Sequence, residues 1–172
     1  ENTILAYDNA GQMLAQTELI FGMLCAAETN ERMQALQEQV MPLLSAHRDK
    51  IRLDEKLFAR VKDVYDRRAS LGLDAEQSRL LRKTYDAFVR SGALLDAGQK
   101  ARLKEINGEL SLTAVKFGNN ILAENNNFAL ELTADDLEGL PSGVRDAARE
   151  KAQAMGKGDK WVFTLHKPSL IP

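Results

Sequence analysis

Few residues in this sequence of 172 are equipped for chemistry. There are two histidines, His47 and His166, and one cysteine, Cys25. Metal-assisted hydrolysis needs ligands that converge on one ion, commonly two histidines one helical turn apart. His47 and His166 stand far apart, and neither belongs to a His-x-x-x-His or His-Glu-x-x-His pattern. His47 falls on an apolar stripe and is expected to be a hydrogen-bonded structural histidine. His166 follows the last strand-like segment and is expected at the surface or at an interface. Cys25 sits in the apolar stretch Leu19 to Ala27, where a buried, inert thiol is expected. Nothing local pairs it with a histidine as a nucleophile. A single cysteine excludes a disulfide within the chain and a Cys-rich zinc site. The run Gly156-Lys157-Gly158-Asp159-Lys160 is glycine-rich and basic, but it lacks the frame and the Lys-Ser/Thr ending of a phosphate loop. It also lies between a helix and a strand, the reverse of the order that presents amides to phosphate. It is expected to be a turn. No residue is therefore assigned a catalytic, cofactor-binding or metal-binding role, and the segment carries no self-contained active site.

The charges point to no polyanionic partner. Twenty-three basic and 25 acidic residues leave a net charge of −2, which argues against nucleic acid and acidic membranes. Arg67-Arg68 and the cluster Arg79, Arg82, Lys83 are expected to be balanced by Asp63, Asp66 and Asp86, as solvated faces. The aromatic residues, 6% of the chain, fall mainly on apolar stripes and offer no base-stacking platform. The stretch Leu19 to Ala27 is about half the roughly 18 apolar residues that a membrane span requires. The opening Glu1-Asn2-Thr3-Ile4 has no basic region or cleavage site of a signal peptide. The chain starts inside a helical pattern and ends on Leu170-Ile171-Pro172, so it reads as a piece of something longer. The expected compartment is the cytoplasm, with the periplasm as the alternative.

The elements that would position these residues are helices. Hydrophobic residues make up 44%, enough at this length to bury a core. No proline occurs between Leu43 and Leu140, as long helices allow. Leu53-Asp54, Leu73-Asp74 and Leu95-Asp96 each place an Asp N-cap before a polar first turn, and Gln77 and Gln99 complete capping boxes. Thr29 or Asn30 caps the helix before these, and Leu53 with Phe58 forms a hydrophobic staple. Helices are expected near 2–27, 30–52, 54–70, 74–91 and 96–124. Met33, Leu36, Val40, Leu43, His47 and Ile51 form one stripe on the second, where Pro42 should introduce a kink. Leu103, Ile106, Leu110, Ala114, Phe117 and Ile121 form another on the long fifth helix. Beyond Asn127 the pattern changes. Residues 128–132 and 161–165 alternate with period two and should pair as antiparallel strands around a helix near 142–155 capped by Gly156. The expected fold is mainly α, a multi-helix antiparallel bundle over 1–127 with a small two-stranded antiparallel β element in a strand–helix–strand extension, 128–172, packed on it as one structural domain.

The ordered set Glu1-Asn2-Thr3-Ile4, Leu57-Phe58-Ala59-Arg60-Val61-Lys62-Asp63-Val64-Tyr65, Leu94-Leu95 before Asp96, Leu132-Thr133-Ala134-Asp135-Asp136-Leu137-Glu138-Gly139-Leu140-Pro141 and Trp161-Val162-Phe163-Thr164-Leu165 resembles the N-terminal region of the thimet-oligopeptidase-like zinc metallopeptidases. Ser45-Ala46-His47-Arg48-Asp49 with Leu57-Phe58-Ala59-Arg60-Val61 is most similar to the peptidyl-dipeptidase branch. The resemblance implies an almost wholly helical enzyme of two lobes facing across a peptide channel. It implies a zinc ion held by a His-Glu-x-x-His helix and a further Glu, well downstream of the matched region, with the motif Glu activating metal-bound water. None of those ligands has a counterpart here, so zinc is expected in the full-length parent and not in this chain. The partners implied are the missing C-terminal catalytic region and short peptide substrates that lose C-terminal dipeptides. The alternative is a stand-alone helical module that binds partner helices or peptides without catalysis.

Overall fold

The computed structural model describes residues 2–166 and 169. Glu1 and the closing Leu170-Ile171-Pro172 lie outside the described residues. The elements in chain order are α1 (Ile4–Asp8), α2 (Gln12–Ala27), α3 (Glu31–Arg52), α4 (Glu55–Asp66), α5 (Ala75–Arg90), α6 (Ala97–Asn127), β1 (Leu130–Leu132), α7 (Ser142–Ala154) and β2 (Trp161–Phe163). The fold is mainly α with one small antiparallel sheet. The chain forms two units, Glu1–Lys116 and Phe117–Pro172, and the boundary falls within α6.

The helix starts follow the chemistry of the caps. Asn30 accepts the Met33 amide at 2.9 Å, so Asn30 rather than Thr29 opens α3. Asp54 accepts the Leu57 amide at 2.6 Å. The Asp74–Gln77 and Asp96–Gln99 pairs close reciprocally, each Asp carboxylate accepting the Gln amide at 2.8 Å. Each bond satisfies an amide that has no partner inside its helix. Pro42 lies within α3, which runs unbroken for 22 residues. The helix expected over 2–27 is instead two helices. Gly11 adopts φ +79°, a left-handed conformation, and the Asn9 side-chain amide donates to the Leu5 carbonyl at 2.9 Å, which ends α1. The third expected helix, 54–70, also ends early, at Asp66, and Arg68–Ser70 forms a single 3-10 turn.

The core of the first unit is an aromatic cluster shared by α1, α4 and α5. Ile4, Phe58, Val61, Leu81, Phe88 and Ala93 are buried together, with Tyr7, Tyr65 and Tyr85 packed against them. Phe88 has no exposed surface. Its ring centroid lies 5.4 Å from Tyr7 and 6.0 Å from Phe58. Tyr65 and Tyr85 stack at 3.9 Å with an interplanar angle of 6°. By contrast, none of the described residues of α2 or α3 is buried, so the apolar stripe of α3 is not a core face. Polar bonds tie α3 and α4 to α6: Asn107 donates to Asp49 at 2.8 Å, Ser45 donates to the Asn107 carbonyl at 3.3 Å, and Lys100 pairs with Glu55 at 3.0 Å.

In the second unit β1 and β2 pair antiparallel in the register Leu130↔Phe163, Glu131↔Val162 and Leu132↔Trp161. The strands are three residues each, shorter than the alternation suggested. Two strands alone are marginal. Here α7 covers one of them, burying Ala148 and Ala152 while Val162 is buried on β2. Arg149 lies 4.9 Å over the Trp161 ring. Thr133 donates both its amide and its hydroxyl to Asp136, opening the 3-10 turn Ala134–Leu137 and holding the Asp136 carboxyl below its ordinary range.

Gly92, at φ +93°, is packed where a side chain would not fit. A Cβ there would approach Leu103 Cδ2 to 2.7 Å and Leu95 Cδ1 to 2.9 Å. A left-handed alanine costs roughly 1–2 kcal/mol and overpacking roughly 1–3 kcal/mol more. Gly92→Ala is therefore expected to destabilise the chain by about 2–5 kcal/mol in urea unfolding. A loss under about 1 kcal/mol would show that the leucine tips yield and that the backbone carries no strain.

Candidate functional site

The residues singled out by type do not converge. His47 is exposed rather than a core histidine, and its side chain makes no hydrogen bond among the described residues. With Ile51 it lines an open cleft of about 610 Å³, together with Tyr7, Glu18, Arg48 and Arg52. His166 is exposed after β2, at the surface as expected. The two histidines belong to different units. Cys25 is half-buried rather than buried, and desolvation pushes its thiol above the ordinary value, away from the nucleophilic thiolate. Among the described residues no three His, Cys, Asp or Glu side chains are grouped so as to hold a metal ion. The residues present thus do not fit a zinc site. No helix among them is long and apolar enough to cross a membrane.

The basic glycine run has a structural task. Gly156, at φ +71°, ends α7, and the Lys157 amide donates to the Ala152 carbonyl at 2.8 Å. Lys157 and Lys160 then both close on Glu131 of β1, Lys160 at 2.5 Å. These two ammonium groups hold the Glu131 carboxyl down at about 2. The lysines are therefore spent on an internal carboxylate instead of a phosphate. On α4, Asp63 pairs with Arg67 and Asp66 with Lys62, as solvated faces do. Asp86 forms no ion pair among the described residues, and neither do Arg79, Arg82 and Lys83, so that cluster is not balanced in the expected way.

What the fold does present is uncovered apolar surface. The helix α2 is apolar around most of its circumference, a composition that normally belongs to a buried helix. Yet Met13 is 82% exposed, Leu19 and Met23 each 64%. On α3 and the first part of α6, Leu43, Ile106 and Leu110 are exposed. In the second unit Phe117, Ile121, Phe128 and Leu130 are exposed too. Exposure on α6 and on the strand pair follows from the sequence, if the stripe there faces a missing partner. That of α2 does not, because a uniformly apolar helix gives no sign of which side lacks cover. A second feature lies between α3, α4 and α6, an open cleft of about 730 Å³ with Pro42, Lys50, Leu53, Lys100 and Lys104 in its walls.

Comparison with known proteins supplies the context for these surfaces. Dipeptidyl carboxypeptidase of Escherichia coli (strain K12) is 36% identical over 165 residues, 95% of this chain and 24% of that protein. The Salmonella typhimurium dipeptidyl carboxypeptidase is 36% identical over 167 residues, again 95% of this chain and 24% of its own length. The chain belongs to the dipeptidyl carboxypeptidase and thimet-like oligopeptidase family. The Dictyostelium discoideum thimet-like oligopeptidase is 24% identical over 174 residues, 99% of this chain and 25% of that protein. No family model matches the chain. The chain spans about a quarter of the length of the curated relatives it matches.

Two expectations follow. Glu131 should titrate near pH 2 by carboxyl NMR, and the midpoint should climb towards the ordinary range in Lys157→Gln and Lys160→Gln. A folded value below the unfolded one stabilises above the unfolded value, and that contribution is lost as pH falls from about 4.5 to about 2. Glu131→Gln should accordingly remove part of the stability loss over that interval. A normal Glu131 midpoint would show that the lysine clamp does not form. Secondly, the isolated chain should self-associate with rising concentration in sedimentation velocity, and Leu19→Gln with Met23→Gln should suppress this without lowering Tm. A strict monomer that loses Tm on those substitutions would place α2 in a core instead.

Proposed function

We propose that the chain is the N-terminal, non-catalytic lobe of a zinc-dependent peptidyl-dipeptidase, which hydrolyses short peptides and releases C-terminal dipeptides. One observation carries the reading: α2, apolar on nearly every side, has no buried residue, in a chain that spans a quarter of its peptidase relatives. Burial of large apolar side chains contributes roughly 1.5–3 kcal/mol each, so covering Leu19, Ile20, Met23 and Leu43 would bind a second lobe firmly. That cover is the remaining, catalytic region of the same parent chain. In this arrangement the helices form one wall of the channel and restrict it to short, unfolded peptides. Zinc and its ligands, including the glutamate that activates water, belong to the remaining region in this reading. The parent is placed in the cytoplasm or the periplasm.

The test is complementation with the full-length parent as reference. Full-length enzyme should release dipeptides from a short N-blocked peptide, lose the activity to a chelator and regain it with zinc. Neither this chain nor the remaining region should act alone, and co-expression of the two should restore activity and yield one stable complex. Cleavage by this chain alone, or a parent without a His-Glu-x-x-His motif, would overturn the reading. Activity of the remaining region unchanged by this chain would favour a separate helical binding module.

A further inference from the structure

The cleft between the end of α3 and the outer face of α5 is lined by Arg52, Arg82, Lys83, Asp86, Arg90 and Ser91, with a volume of about 540 Å³. Four cations there face one carboxylate. None of the four forms an ion pair among the described residues, although the chain as a whole carries a net charge of −2. The ends of α3 and α5 offer a partial explanation, because a helix C-terminus attracts cations with roughly half an elementary charge. Two such termini offset about one positive charge of an excess of about three, so about two remain without a partner. Local repulsion of that size favours binding an anion.

Arg52 gives the cleft its shape. Its guanidinium carbon lies 5.3 Å from the Phe88 ring centroid and 5.6 Å from that of Tyr7. Contact with two core rings restricts the planar fork and so lowers the entropy cost of ordering it on a ligand. One of its nitrogens, Nη1, is out of solvent and meets no acceptor among the described residues. The same side chain also lines the neighbouring cleft that holds His47, and Arg90 and Ser91 are common to both. The acidic groups of that second cleft are engaged elsewhere: Glu18 with Arg48, and Asp49 with the Asn107 side chain at 2.8 Å. On α5, Arg82 and Arg90 are two turns apart, about 12 Å along the axis, with Asp86 midway between them.

We propose that Arg52, Arg82 and Arg90 form a binding site for one oxyanion, a carboxylate or a phosphate group. Arg52 is the fixed bidentate donor and the two α5 arginines close on the anion from either side. Every group involved lies in the first unit, so the site does not depend on the peptidase reading. Asp86 guards it: as the one unengaged acid in the cleft, it weakens binding of a second negative charge.

The experiment titrates the 172-residue chain with sodium acetate and, separately, sodium phosphate at constant ionic strength against sodium chloride. The readouts are the Arg side-chain Nε–Hε resonances and Tm. A saturable shift of the Arg52 and Arg90 resonances is expected, and the tighter of the two anions identifies carboxylate or phosphate as the ligand. Arg52→Lys keeps the charge and loses the fork, and it should weaken binding about tenfold. Arg90→Gln, on the exposed face, should do the same without unfolding the core, whereas Arg60→Gln, outside the clefts, should leave affinity unchanged. Asp86→Asn should tighten binding. Equal shifts with chloride, equal loss in Arg60→Gln, or a lower Tm in Asp86→Asn with no gain in affinity would overturn the site. The last result would show that Asp86 is the partner of Arg52.

Discussion

Phe88 is the residue on which the first unit depends. It is fully buried, and rings from α1 and α4 lie on it while Arg52, at the end of α3, covers it from outside. Four helices of unrelated sequence position are thus joined through one side chain. Truncating such a phenylalanine typically costs about 3–5 kcal/mol, against a total domain stability of about 5–15 kcal/mol. The same contact fixes the guanidinium of Arg52, so the packing of the core and the placement of the unpaired charge have one cause.

Away from that cluster the structure is held differently. Neither α2 nor α3 buries a residue among those described, and α6 is tied to α3 and α4 by polar groups of Asn107, Ser45 and Lys100. Polar ties fix register at modest net stability. They leave the apolar stripes of these helices free to face something else, which suits a chain that spans a quarter of its relatives in the dipeptidyl carboxypeptidase family. In the second unit a two-stranded sheet survives because α7 covers one strand and two lysines close on Glu131 of the other.

Much of this was legible before any coordinates. The helix starts at Asp54, Asp74 and Asp96 could be read because a cap is a local bond between residues three apart. The break at Asn9 to Gly11 carried a signal of the same kind, an Asn and a Gly two residues apart, which the apolar run after it obscured. The stripe through Met33, Leu36, Val40, Leu43 and His47 misled for a different reason. Periodicity identifies which residues share a face, but it does not say whether another element covers that face. His47 therefore reads as a core histidine and lies exposed beside a cleft.

The sequence by itself determined the helical class, the caps, the small β element and the kinship with the peptidases, because each is written in residues near one another or in their order along the chain. Only the tertiary structure decided which apolar stripes form the core and which stay uncovered, and that Arg52, Arg82 and Arg90 share a cleft in which none of them forms an ion pair among the described residues. Those outcomes depend on contacts between residues remote in sequence, where burial and charge are set by whatever neighbour the fold brings near.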